Sequence, residues 1–456
     1  MASPLLQLPL HIIAIVLGRL GTIQELYPVI LSHRIFRDAF HDNLHSVARN
    51  IVTRQIPANT LPFTVALLES TWISGGRPDA VRDILTRLET TCSSETIDFV
   101  FPPASRLSIS DYAYLSKIYT AAESLSKSFT DEVIPIADAK IRLPRLSREV
   151  TQQENFRLNR AFLRYQLMVN LFCAEENPFE NGNQTRQNLA QFFSTFSPWV
   201  NEQLTCVYHF LLRKVTDALN EVVLHDVDWA IYPVLLPSTL LNTDSRGDIH
   251  WFLAQGLQLL SSVVSAKTFN KRAGILRPDV YLGGRPRYPP RFRLKSMKLW
   301  GPRDDRNINL KKAGERNRLA RPSDGPTDST FSNPCIIWLR AHGNRSVVDD
   351  TMWNDRDAML WETGYVLWDY ANVFAHHFKT TRRALRFEPP NPLGSRAELR
   401  RYKLSRSQGQ RIDIRFDGGS GYWPLDGEDF SRIQGLSKKK IEGLLRKWED
   451  TTPLAD

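Results

Sequence analysis

Cysteine is scarce: Cys92, Cys173, Cys206 and Cys335 are the four in 456 residues, and no two stand at a metal-ligand or redox spacing. A disulfide framework, a zinc ribbon and a redox dithiol are thereby excluded, and the four read as reduced intracellular thiols. Long apolar runs are lacking too. The best, Trp229 to Leu241, is cut by two prolines and falls short of the ~20 residues a membrane span needs. Pro4 to Leu17 is mostly apolar, but no basic segment precedes it and no small-residue cleavage site follows it. Pro9 and His11 interrupt it, so it reads as a helix rather than a secretory signal. The expectation is a soluble chain of cytoplasm or nucleus with no membrane partner.

Catalytic signatures are equally wanting. There is no Gly-x-Ser-x-Gly elbow, no His-Glu-x-x-His and no Cys-x-x-Cys, and Gly418 to Gly421 lacks the Lys-Ser/Thr of a phosphate loop. His225-Asp226-Val227-Asp228 sets an imidazole beside two carboxylates, yet it has the form of a helix-end cap. His376 and His377 point about 100° apart on a helix and cannot easily share a metal. No enzyme, metal or cofactor is expected.

What the chain does have is apolar bulk. At 42% hydrophobic and 24% charged, with 11 Trp, 23 Phe and 13 Tyr, it can bury a sizeable core and should hold two or three units. Its net charge of +10 is concentrated. Arg285 to Arg321 carries thirteen Lys or Arg against Asp304, Asp305 and Glu315, which leaves the rest of the chain near neutral. That marks a basic tract on a neutral protein, not a chain made to coat nucleic acid along its length.

Apolar residues recur at three-to-four spacing through most of the first 284 residues, which predicts helices. Leu67, Leu68 and Trp72 form one face before Gly75-Gly76, and Val81, Ile84, Leu85 and Leu88 another after it. Further helices are expected over Ser110 to Ser126, Arg157 to Cys173, Asn188 to Val223 and His250 to Val264, the last of this series. Residues 285–334 are rich in Arg, Pro, Gly, Asn and Asp and read as a flexible insertion or linker. Cys335 to Leu339 and Asp350 to Phe378 restore order. Arg411 to Phe416 alternates like a strand, and Ser437 to Trp448 is an amphipathic helix. No repeat of about 20–50 residues appears, so a solenoid is not supported. The expected class is mainly α: an N-terminal three-helix module over 1–50, an irregular α-helical domain over 58–284, the basic insertion, and a small mixed α/β part over 335–456.

Leu8-Pro9 opens a helix whose face carries Ile12, Ile13, Val16, Leu17 and Leu20, since proline at the first helical position loses no hydrogen bond. Gly21 closes it. Thr22-Ile23-Gln24-Glu25 has capping-box form, and Leu26, Val29, Ile30, Leu31, Ile35, Phe36 and Phe40 continue the apolar pattern, with Ser32, His33, Arg34 and Arg37 interleaved. This order resembles the F-box. The likeness covers about forty residues; His11 stands where such motifs usually carry an acid, and Pro28 falls inside the second helical stretch, where a kink is expected. Gly364-Tyr365-Val366-Leu367-Trp368-Asp369 and the Tyr422-Trp423 turn are similar to segments of uncharacterised fungal F-box-like proteins.

The resemblance implies a docking module for a Skp-type adaptor and, through it, a cullin ubiquitin ligase, with the chain as receptor for a protein target. The implied adaptor-facing residues are Leu8, Pro9, Ile12, Ile13, Val16, Leu20, Leu26, Val29, Leu31 and Phe36. A helical hairpin that merely packs on the body is the plain alternative, and a helical scaffold without a ligase role goes with it. A nucleic-acid-binding or chromatin-associated protein is the rival. Its contacts would be Arg285, Arg287, Arg291, Arg293, Lys295, Lys298, Lys311, Lys312, Arg316, Arg318 and Arg321, with Tyr288, Phe292 and Trp300 interleaved for stacking. Lys311-Lys312 through Arg318 also has the form of a nuclear-import signal, and Ile433-Gln434-Gly435-Leu436-Ser437 is faintly similar to a helix-hairpin-helix turn.

Overall fold

The computed structural model describes residues 8–73, 78–93, 107–141, 149–173, 182–230, 247–276, 312, 314, 317–325, 328, 333–342, 358–369, 395–423 and 430–447. Among them the chain is mainly helical, as the spacing predicts. The N-terminal part holds α1 (Leu10–Leu17), α2 (Leu26–Ser32), α3 (Arg34–Asp42) and α4 (Leu44–Gln55). Then come α5 (Leu61–Thr71), α6 (Pro78–Ser93), α7 (Ile109–Ile141), α8 (Gln152–Phe172), α9 (Gly182–Ser194) and α10 (Pro198–Val223). Next are α11 (Gly247–Ala254), α12 (Leu257–Ser265), α13 (Phe269–Leu276), α14 (Asn333–His342) and α15 (Ala358–Glu362). The chain closes with α16 (Ser395–Phe416) and α17 (Lys438–Arg446). Among the described residues no helix is long and apolar enough to cross a membrane.

Helix α8 sits among α5, α7 and α10, and α10 in turn meets α11 to α15, so these two helices are the axis of the body. Their apolar faces belong to one cluster that runs from Ile13 to Trp368. Segments 333–342 and 358–369, placed in the C-terminal part by composition, pack into this first core. A second, smaller cluster of Val227, Ile414, Trp423, Ile433 and Ile441 holds α16 and α17 together.

Local chemistry explains several boundaries. Thr151 and Glu154 form a full capping box at the start of α8: Glu154 N–H donates to Thr151 Oγ1 at 3.1 Å and Thr151 N–H to Glu154 Oε2 at 3.0 Å. The expected helix over His250 to Val264 is two helices. Gly256 breaks it at φ +82°, and a Cβ there would lie 2.4 Å from Gln166 Oε1, which accepts the Leu257 N–H at 2.6 Å. α13 follows it in the same series. Pro28 needs no kink. It falls in the first turn of α2, where its missing N–H has no intrahelical partner to lose.

Two expectations fail. Arg411 to Phe416 is the end of α16, not a strand, because its buried residues Arg411 and Ile414 recur at helical spacing after Ser407. The β structure is smaller: Ser420–Gly421 (β1) pairs antiparallel with Ile433–Gln434 (β2), and it is the sole sheet among the described residues. The linker assigned to 285–334 also ends too late. Within it Leu319, Ser323, Asp324 and Asp328 are buried and Ala320, Arg321 and Gly325 half-buried. Composition counted apolar surface alone, whereas this segment is held by charge pairing.

Candidate functional site

The structure divides the ten adaptor-facing residues. Leu8 and Pro9 stand exposed just before α1, and on α1 spacing puts Val16 and the unpredicted Ile15 in solvent, with Ile12 half-buried beside them. The opposite side faces the core through Ile13 (0% exposed), Ala14 and Leu17. On α2, Leu31 is 64% exposed and Tyr27, one turn before it, 68%, while Leu26 turns inward at 3%. Leu20, Val29 and Phe36 are half-buried and pack against the main cluster. Ile13 and Leu26 are therefore core residues and not available to a partner. Their place is taken by Ile15 and Tyr27, which i, i+3 and i, i+4 counting from Ile12 and Leu31 would have found.

This part is anchored from beneath. The Ile23 N–H donates to Ser116 Oγ of α7 at 3.2 Å, and that hydroxyl stands 3.0 Å from Gln24 Oε1 and 2.7 Å from Gln55 Oε1. Gln55 Nε2 then reaches Ser116 O at 3.2 Å and Thr120 Oγ1 at 2.9 Å. The capping box expected at Thr22–Glu25 does not form: the Thr22 hydroxyl takes no backbone N–H and instead donates to Glu25 at 3.3 Å, while Glu25 accepts the Gly21 N–H at 3.0 Å. Of the eight large hydrophobic side chains exposed among the described residues, five lie between Leu8 and Leu31. The N-terminal helices thus combine an anchored base with most of the exposed large apolar side chains among the described residues.

The centre of the body does the reverse. Arg157, Arg160 and Arg164 project from α8 at i, i+3 and i+7, all at 1% exposure or less. Arg157 Nε donates to Asp328 Oδ1 at 3.0 Å and its NH1 to Asp369 Oδ1 at 2.6 Å. Arg160 NH2 donates to Asp328 Oδ2 at 2.5 Å and to Gln203 Oε1 at 2.7 Å. Arg164 donates to Val200 O and Asn201 Oδ1 and lies 4.1 Å over the Phe196 ring. Burial, then the nearby Arg160 charge, lowers its pKa to about 9. Asp324 accepts the backbone N–H groups of Ser197 at 2.9 Å and Arg321 at 3.0 Å, which ties the end of the basic tract to the start of α10. Burial pushes its carboxyl up to about 6, against those two hydrogen bonds.

The segment Gly364 to Asp369 closes this centre. Gly364 adopts φ +60°, and a Cβ there would come within 3.0 Å of Phe129 Cζ. The Asp369 N–H donates to Glu154 Oε1 at 2.6 Å, Leu367 O and Val366 O accept from Arg157 and Gln203, and the Trp368 indole donates to Thr363 O at 2.8 Å. Beside it Glu202 accepts from Trp361 Nε1 at 3.0 Å and meets His342 Nε2 at 3.1 Å. Burial alone would raise the Glu202 carboxyl, but the His342 imidazole and the Tyr365 and Trp361 hydrogen bonds hold it below its ordinary value. The network is extensive but not complete, since Arg160 Nε, Arg164 Nε and His342 Nδ1 are buried without a hydrogen-bond partner.

The remaining candidates fall on either side of the described boundary. Arg285, Arg287, Arg291, Arg293, Lys295, Lys298, Lys311 and Arg316 lie outside the described residues, as do His376 and His377. Lys312 and Arg318 are exposed, whereas Arg321 is half-buried and donates to Ser194 O at 3.1 Å, so it serves the fold. His225 packs edge-on to Trp423 and Phe269, and burial lowers its pKa to about 4. Asp226 caps the next turn through the Asp228 N–H at 2.9 Å. That is the helix-end role the sequence suggested, and no group of three or more metal-ligating side chains occurs among the described residues. Compared with protein-family models, curated proteins and solved structures, the chain has no match.

Proposed function

We propose that the N-terminal helices are an F-box-like module that docks a Skp-type adaptor, making the chain a substrate receptor of a cullin-type ubiquitin ligase. The observation that carries the reading is the exposure of Ile15 and Val16 on α1 and of Tyr27 and Leu31 on α2, helices whose other faces pack into the body. Ligase chemistry would reside in the other subunits, and the α-helical body would present the surface that holds a protein target. Full burial of an exposed Val or Leu contributes at most about 1.5–3 kcal/mol, and Val16 and Leu31, already partly covered, would contribute less, so docking needs several such side chains together.

The test is capture of the full chain by a purified Skp-type adaptor. Val16→Asp combined with Leu31→Asp should abolish capture while the thermal transition stays in place, since both side chains stand in solvent. Undiminished capture by the double variant would remove the docking surface from those helices.

A further inference from the structure

The end of α5 and the facing side of α6 enclose a cavity of about 410 Å³. Glu69, Trp72 and Ile73 reach it from α5 and its C-terminal end, at i, i+3 and i+4. Ala80, Asp83, Ile84 and Arg87 reach it from α6, at i, i+3, i+4 and i+7. The two stripes are tied where Arg87 donates to Glu69 Oε2, through Nε at 3.3 Å and NH2 at 2.9 Å. That pair leaves Asp83 as the unmatched charge of the lining, with no ion pair or hydrogen bond among the described residues. Ile84 is buried and Ile73 and Ala80 half-buried, so the cavity has an apolar wall, whereas Trp72 is 52% exposed. The neighbouring chain does not cancel the charge: from Glu69 to Glu89 four acids stand against three arginines, Arg77 included.

An apolar ligand would use the wall and leave Asp83 without a partner, and an anion would meet a carboxylate on each side. A planar cation on an aliphatic stem uses the whole lining. A guanidinium lays its face on an indole and donates from its edge to a carboxylate, while its stem packs on apolar side chains. The geometry points to a site for an arginine side chain of a protein partner in this cavity. Trp72 stacks on its guanidinium, Asp83 accepts from it, and Ile73 and Ile84 take the stem. The site stands on helices other than the adaptor-facing ones and does not depend on adaptor docking.

Fluorine NMR of the full chain labelled with fluorotryptophan tests it, with Trp72→Phe identifying the Trp72 resonance by its loss. N-acetyl-arginine methylamide should move that resonance saturably. N-acetyl-citrulline methylamide, which has the same shape without the charge, should not. Asp83→Asn should weaken the arginine derivative about tenfold or more, the loss of a hydrogen bond between charged groups. Trp72→Ala, read by saturation transfer from protein to ligand, should weaken it roughly 2- to 5-fold. Both side chains are exposed, so neither variant threatens the fold. Absence of a saturable shift, an equal shift from the citrulline derivative, or unchanged affinity in Asp83→Asn would each overturn the proposal. A shift that emerges only in Arg77→Ala would overturn it too, since the cavity would then belong to the chain's own arginine.

Discussion

The centre of the body and the N-terminal helices break the usual partition of side chains in opposite directions. Around α8 three arginines lie in the interior, and each has carboxylate, amide or carbonyl partners from α10, from residues 324–328 or from Gly364 to Asp369. On α1 and α2 Ile15, Val16, Tyr27 and Leu31 are exposed among the described residues. A buried charge that is matched internally says how the molecule holds itself together. The exposed apolar groups are what the proposed docking would cover.

The contrast gives a ranked set of outcomes for stability. Asp328→Ala removes the carboxylate that Arg157 and Arg160 share in the interior, leaving them Asp369 and Gln203, and should destabilise the fold by about 3–5 kcal/mol, read as a lower midpoint in urea. A midpoint shifted by less than about 1 kcal/mol would mean that the arginines find other partners or water.

Asp324 comes next and concerns pH. Its folded value of about 6 lies above the ~3.9 of an unfolded aspartate, so between those values the folded chain holds a proton that the unfolded chain has released. Its contribution to stability is therefore greatest below about pH 4 and falls by up to about 3 kcal/mol as pH rises to about 6. His225 has the opposite sign, since its folded value of about 4 lies below the ~6.5 of an unfolded histidine, and its contribution is lost as pH falls through that window. Asp324→Asn should make stability rise more steeply from pH 4 to pH 6 than in the parent chain, measured by denaturant titration at each pH. Parallel curves would contradict the assignment.

Ser116→Ala removes the hydroxyl under the N-terminal helices and leaves the Ile23 N–H and the Gln24 and Gln55 amides to find other partners. The expected loss is about 1–2 kcal/mol, with faster amide exchange confined to α1 to α4. Val16→Asp and Leu31→Asp should change stability by no more than about 0.5 kcal/mol each, the smallest effect of the series. A large loss there would show that these side chains are packed and would erase the contrast.

How much of this the sequence disclosed depends on what each element needs. α5, α6, α8 and α10 were legible because their apolar residues recur at a local period that one segment carries entire. The arginines of α8 were not. Arg157, Arg160 and Arg164 share a stripe with Phe, Tyr and Leu neighbours, but their acids lie about 160 or more residues away in sequence, in a segment whose composition reads as a linker. Arg411 is hidden from a sequence pattern for the same reason, since its guanidinium is buried against Trp229 O at 2.6 Å, a partner 182 residues away. At the N-terminus the sequence located the apolar helices, yet it assigned Ile13 and Leu26 outward and passed over Ile15 and Tyr27. Helical phase says which residues share a face, and only packing says which face is covered.

Amide hydrogen exchange of the full chain with and without a purified Skp-type adaptor tests the central claim most directly. The exposed apolar faces of α1 and α2 require slowed exchange there on adding the adaptor, with α8 and α10 unchanged. Exchange that is unaltered in α1 and α2, or slowed only elsewhere, would contradict it.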